Sequence, residues 1–144
     1  MLYLYHMNEF KISELLDKYG LRKTEVRKEI LRVFLTENYA LTHHDLQERI
    51  SDRFDRVTVF RTLSSFQKKG LIHQVLDNSS AAKYALSVDE KSQTEVSAHP
   101  HFKCEDCHQT YCLSEGELAL PSLPSGFIMN KSHVLLEGKC VNCS

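Results

Sequence analysis

Two pairs of cysteines with the same internal spacing, Cys104-x-x-Cys107 and Cys140-x-x-Cys143, constrain this chain more than any other feature. Two residues between cysteines let both sulfurs of one tight turn reach the same ion, and two such turns complete a closed tetrahedral four-thiolate sphere. Thiolates favour zinc over hard cations, and a closed sphere leaves no position for a substrate. Redox-active or idle thiols fit poorly with two such pairs in so short a stretch. The pairs are separated by 32 residues, more than a simple zinc ribbon needs. The ion is therefore expected to staple the last strand of the chain onto an earlier hairpin. That role is structural, and removing the metal should unfold this half.

Free thiolates imply a reducing compartment. No apolar run approaches the roughly 20 residues that span a bilayer. The opening residues 1–10 lack the basic region and long apolar stretch of a secretory signal. A cytoplasmic protein with no membrane partner is expected. The net charge of −1 hides two unlike halves. Residues 1–86 carry 14 Lys/Arg against 11 Asp/Glu, whereas residues 87–144 carry 4 against 8. A basic excess of three permits nucleic-acid binding in the first half. The acidic second half holds all five cysteines and four of the eight histidines, so metal ligands concentrate there.

The first half reads as helices followed by a hairpin. Phe10, Ile12, Leu15 and Leu16 space themselves helically before Tyr19-Gly20 stops the run. Thr24 opens a second helix with Val26, Ile30, Leu31, Val33 and Phe34 on its apolar face. Thr42 is the N-cap of a third, with Asp45 three residues on and Leu46 and Ile50 facing inward. A fourth is expected from about Thr58 to Lys69, closed by Gly70. Two strands follow, Leu71–Leu76 and Ala82–Leu86, around the turn-rich segment 77–80. Three helices, then a fourth with a hairpin behind it, is the winged-helix variant of helix-turn-helix. Arg56, Thr58, Phe60, Arg61 and Thr62 fall near the start of the fourth helix, where a recognition helix presents side chains to the major groove. Arg22 and Lys23 precede the second helix and suit phosphate or minor-groove contact. The polar, aperiodic residues 87–97 read as a hinge. The expected organisation is α+β, with a DNA-binding domain over 1–86 and a metal-binding domain over 98–144.

A second metal site is expected in that latter domain. His99 and His101 share a strand face because side chains alternate. With Glu105-Asp106 as a hairpin tip, continuing the register sets His99 opposite Cys112, and all three side chains converge on one face. A fourth ligand must come from elsewhere. His73, on the first wing strand, would bridge the hinge and make the angle between the halves depend on metal. His133, Glu90 and Glu95 are the reserves, and His6, His43, His44 and His108 read as surface residues.

With these motifs in place, the chain resembles the ferric-uptake-regulator family of metal-responsive regulators from about Gly20 to Cys143. The resemblance rests on Gly20-Leu21-Arg22-Lys23-Thr24, Thr58-Val59-Phe60-Arg61-Thr62-Leu63, Gly70-Leu71-Ile72, His99-x-His101-x-x-Cys104-x-x-Cys107 and Cys140-x-x-Cys143. It implies a winged-helix domain, a small α/β dimerisation domain, and a homodimeric repressor that binds AT-rich palindromic double-stranded DNA when metallated. By position, it implies that Cys104, Cys107, Cys140 and Cys143 hold structural zinc and that His99 and His101 are sensor ligands. Cys112 falls where relatives place a sensor carboxylate, and His73 where zinc-sensing relatives take a ligand from the wing. Arg22 matches a minor-groove cation, and Phe60-Arg61 the usual Tyr-Arg of the recognition helix.

The chain also departs from the family pattern. The usual His-His-Asp-His run is Ala98-His99-Pro100-His101, and the positions of two iron-sensor ligands fall near Ala40 and Ala85. Segment 113–126 is shorter than the family's helix there. A set of three histidines and one cysteine is softer than the mixed histidine and carboxylate set expected for iron, so the regulatory metal is expected to be zinc, with iron or peroxide sensing as the alternative. A zinc hydrolase or deaminase is the alternative from another class. The deaminase signature needs H-x-E ahead of P-C-x-x-C, but His99-Pro100-His101 lacks the glutamate and Lys103 stands in place of the proline. No catalytic residue is expected.

Overall fold

The computed structural model describes residues 2–87, 99–113 and 119–144. Most of the expected hinge at 87–97 lies outside these residues, as do Glu90 and Glu95. The chain divides into two units, Met1–Val75 with Ser80–Ser87, and Leu76–Ser79 with Val88–Ser144. The four residues 76–79 thus pack with the second unit, although the chain on both sides of them belongs to the first.

The first unit contains α1 (Leu2–Lys18), α2 (Glu25–Thr36), β1 (Leu41–Thr42), α3 (His43–Arg49), α4 (Arg56–Lys69), β2 (Ile72–Val75) and β3 (Lys83–Leu86). Its core gathers Ile12 and Leu16 of α1, Ile30, Leu31 and Phe34 of α2, Leu46 of α3, and Val59, Leu63 and Phe66 of α4. Each set recurs at helical spacing, so each helix turns one stripe inward. Phe10 departs from this pattern: it is 73% exposed, one position off the Ile12–Leu16 stripe. Thr42 and Asp45 form the expected reciprocal capping box, each side chain bonded to the other's backbone N–H. By contrast, Thr24 stands at the start of α2 without a capping bond from its side chain.

Helix α4 begins two residues earlier than expected. Asp55 is its N-cap, with Oδ1 accepting from the Thr58 N–H at 2.8 Å, so the first turn starts at Arg56. Gly70 closes it with φ of 81°, a left-handed conformation that favours glycine. Behind α4, β2 and β3 pair antiparallel with Ile72 opposite Leu86 and Val75 opposite Lys83. A short strand absent from the sequence reading, β1, adds to the far side of β3 and gives the order β1-β3-β2. Helices followed by this three-stranded sheet make a winged helix.

The second unit contains β4 (His101–Cys104), β5 (Thr110–Cys112) and β6 (Leu135–Gly138) in the order β5-β4-β6. Strand β4 pairs antiparallel with β5 and parallel with β6. The last strand is thus laid against the first hairpin, as the cysteine spacing required. Among the described residues, the only buried apolar side chains of this unit are Cys104 and Cys140.

Candidate metal centres and nucleic-acid face

The two cysteine pairs sit on turns at the same end of the second sheet. After β4, the Cys104 carbonyl accepts from the His108 N–H at 2.9 Å, and His108 takes a positive φ of 62°. After β6, the Cys140 carbonyl accepts from the N–H groups of Cys143 and Ser144, both at 3.0 Å. Register places Cys104 beside Gly138, which brings the second turn onto the first. The four sulfurs all lie within 4.8 Å of one another, with Cys107 and Cys140 at 3.8 Å. A tetrahedron with Zn–S bonds of about 2.3 Å has edges of about 3.8 Å. The geometry therefore fits zinc.

The electrostatics fit as well. Backbone N–H groups of Cys107 and Cys140 pull the Cys104 thiol down to about 6. Cys140 also lies low, since its contact with Cys143 and the N–H groups of Asn142 and Cys143 outweigh its burial. Contact with Cys140, followed by burial, pushes Cys143 up to about 12. Four crowded sulfurs cannot all ionise without a cation among them.

The second cluster lies on the same sheet. The ligand atoms of His99, His101 and Cys112 fall within 4.8 Å of one another, and the two imidazole centroids are 4.5 Å apart. Nε2 of each ring is shut off from solvent. The pairing that produces this differs from the expected one: Cys112 stands opposite His101, not His99. The loop is longer than a two-residue tip, because the first cysteine turn, His108 and Gln109 all precede β5. A shift of two residues preserves the face, so the three side chains still converge. Burial, then the neighbouring His99 and His133, hold His101 down to about 4, against an opposing pull from Asp77. Burial pushes the Cys112 thiol up to about 11. At neutral pH the cluster thus offers a neutral imidazole and a protonated thiol that metal must deprotonate. His73 stands on β2 opposite Ala85, half-buried. Ala40 and Ala85 are both buried.

On the first unit, Arg56, Phe60 and Arg61 are exposed along the outer face of α4, with Thr58 half-buried between them. Thr62 does not belong to that face. It is 7% exposed and its hydroxyl donates to the Thr58 carbonyl at 2.8 Å. It lies three residues after Val59 and four before Phe66, which places it on the inward stripe. Arg22 and Lys23 are exposed, and Lys23 is tied to Asp17 at 2.9 Å. Two residues were missed. Val57 is 55% exposed beside Phe60 at 61%, an apolar pair at i, i+3 outside the core stripe. His43, expected on the surface, neighbours this face: its Nε2 lies 3.2 Å from the Arg56 carbonyl and its ring 6.4 Å from that of Phe60. The register of apolar residues along α4 carried the first signal; only the fold brings His43 to α4.

A winged helix with exposed cations, joined to a unit carrying two clusters of soft metal ligands, is the make-up of a metal-responsive DNA-binding transcription regulator. The model of the Ferric uptake regulator family matches residues 18–120, and the chain belongs to that family. No curated protein matches the chain. Among solved structures, a zinc uptake regulator complexed with zinc and DNA is 17% identical, covering 94% of this chain and 93% of its own, with a TM-score of 0.64. A zinc-bound manganese uptake regulator is 19% identical over 90% of this chain and 98% of its own, at 0.63. The Vibrio cholerae ferric uptake regulator is 20% identical over 88% and 98%, at 0.60. At these identities the likeness is one of fold.

Proposed function

We propose that the chain is a zinc-responsive, homodimeric repressor of metal-uptake genes that acts in the cytoplasm. The observation that carries the zinc reading is the cluster of His99, His101 and Cys112, whose donors are two nitrogens and a sulfur within 4.8 Å. Such a set suits zinc better than iron. Three donors leave a tetrahedral ion one short, and His73 is proposed as the fourth. Cys104, Cys107, Cys140 and Cys143 hold a second, structural zinc. Arg22, Lys23, Arg56, Thr58, Phe60 and Arg61 are the proposed contacts to an AT-rich palindromic duplex, with the cations on phosphate or minor groove and the α4 residues in the major groove. Dimerisation through the second unit is supported by its exposed Leu123, Phe127, Ile128 and Val141, large apolar side chains that a partner copy would cover.

The test is metal analysis of purified protein, before and after chelation, together with duplex binding while zinc or iron(II) is titrated. Two zinc ions per subunit, one of them released by mild chelation along with DNA binding, is the expected result. DNA binding restored by iron(II) and not by zinc would overturn the zinc assignment.

A further inference from the structure

Asp77 is the most buried carboxylate among the described residues, at 3% exposure. It lies in the loop between β2 and β3 and packs with the second unit. One carboxylate oxygen accepts from the Ser79 N–H at 3.0 Å, the other from the Thr110 hydroxyl at 2.6 Å. The Asp77 carbonyl accepts from Lys103 Nζ at 3.0 Å, and the same ammonium reaches Ser79 Oγ at 3.2 Å. Thr110 is fully buried and stands directly opposite Lys103 across β4 and β5. The loop is therefore gripped from both strands at one rung of the ladder. Two residues along those same strands is the rung of His101 and Cys112. A buried carboxylate is costly unless its bonds are made, which makes this grip specific to one arrangement of loop and strands.

We infer that Asp77, held by Thr110 and Lys103, is the strap through which occupancy of the His99–His101–Cys112 cluster is passed to the winged helix. Residues 76–79 continue into β2 on one side and toward β3 on the other, so any shift of β4 and β5 on closing around an ion pulls on both wing strands. Asp77 is a positioning residue in this account and ligates nothing. The inference rests on the reading of the cluster as the regulatory site.

The experiment compares Asp77→Asn, Thr110→Val and Thr110→Ser with the unaltered protein. The probe is a duplex selected from a random-sequence pool by the zinc-loaded wild type. Zinc content, thermal stability and duplex affinity are measured with and without the releasable zinc. Asp77→Asn and Thr110→Val should keep both zinc ions and the zinc-free affinity, while the gain in affinity on adding zinc shrinks at least about fivefold, the lower end of the usual effector scale. Thr110→Ser, which keeps the hydroxyl, should restore the gain. A full wild-type gain in both Asp77→Asn and Thr110→Val overturns the strap, as does a loss that tracks stability or zinc content and is not rescued by Thr110→Ser. If Cys112→Ala itself keeps the full zinc-dependent gain, the site reading has failed and the strap falls with it. A wild-type gain lost in Cys112→Ala but kept in the Asp77 and Thr110 variants refutes the strap alone.

Discussion

Cys112 shows how far a side chain's neighbours change what it can do. On its own strand it is a small apolar residue, and burial holds its thiol up to about 11, far from reactive. Beside His99 and His101, with His101 held neutral down to about 4, it stands where an ion could displace its proton, which is the role proposed for it. Cys112→Ala is expected to lose one releasable zinc per subunit, retain the four-cysteine zinc, and lose a zinc-dependent gain in duplex affinity on the order of 5–150-fold. Zinc stoichiometry and duplex affinity, measured side by side, check this. Full retention of zinc-dependent binding would leave Cys112 as packing and require the site to be rebuilt around His133. Thr62 makes the converse point. Its place in the Thr-Val-Phe-Arg-Thr run suggested a contact residue, yet one step of helical phase turns it into the core with its hydroxyl bonded to Thr58.

Helix α4 is positioned by its two ends. Asp55 caps the start, and its carboxyl is held below the ordinary aspartate value by the Thr58 side chain and N–H. Gly70 releases the chain into β2 at the other end. Between them, one stripe is fixed inward by Val59, Leu63 and Phe66, and the opposite stripe leaves Arg61 in solvent. Arg61→Ala and Arg22→Ala should therefore weaken duplex binding without changing zinc content or thermal stability. Each is also expected to flatten the dependence of log affinity on log salt by about one unit if it removes a phosphate contact. A salt titration of the two variants against wild type decides it, and unchanged affinity and slope in both would remove these residues from the DNA face. In the β4–β5 hairpin the element was foreseen but its register was not. The extra loop residues come from the turn that the first cysteine pair imposes, and a shift by two left the ligand face intact.

The two units are stabilised in different ways. The first owns a continuous apolar cluster drawn from all four helices, whereas the described part of the second buries cysteines and little else apolar. A unit whose described residues bury so little apolar surface needs a staple, and the zinc proposed for the four cysteines would supply it. Cys143→Ser or strong chelation should therefore unfold the second unit and abolish its self-association, leaving the first unit helical. Calorimetry with far-UV circular dichroism would show the single wild-type profile replaced by loss of the second unit and survival of the helical transition. Cys143→Ser with wild-type melting and self-association would refute the structural role.

Local chemistry made much of this protein legible from the sequence. Cysteine spacing announces that four sulfurs gather at one place, because two such turns can meet in few other ways. Helical period locates the inward stripes, and Thr42 with Asp45, and Gly70, mark ends that short-range hydrogen bonds and φ preferences dictate. Tertiary structure decided what depends on contacts far apart in sequence. It set the pairing of His101 with Cys112, through a loop whose length follows from the cysteine turn. It placed His43 against α4, added β1 to the wing, and gripped Asp77 between Thr110 and Lys103. No local pattern encodes those meetings, because each needs two segments brought together by the packing of everything between them.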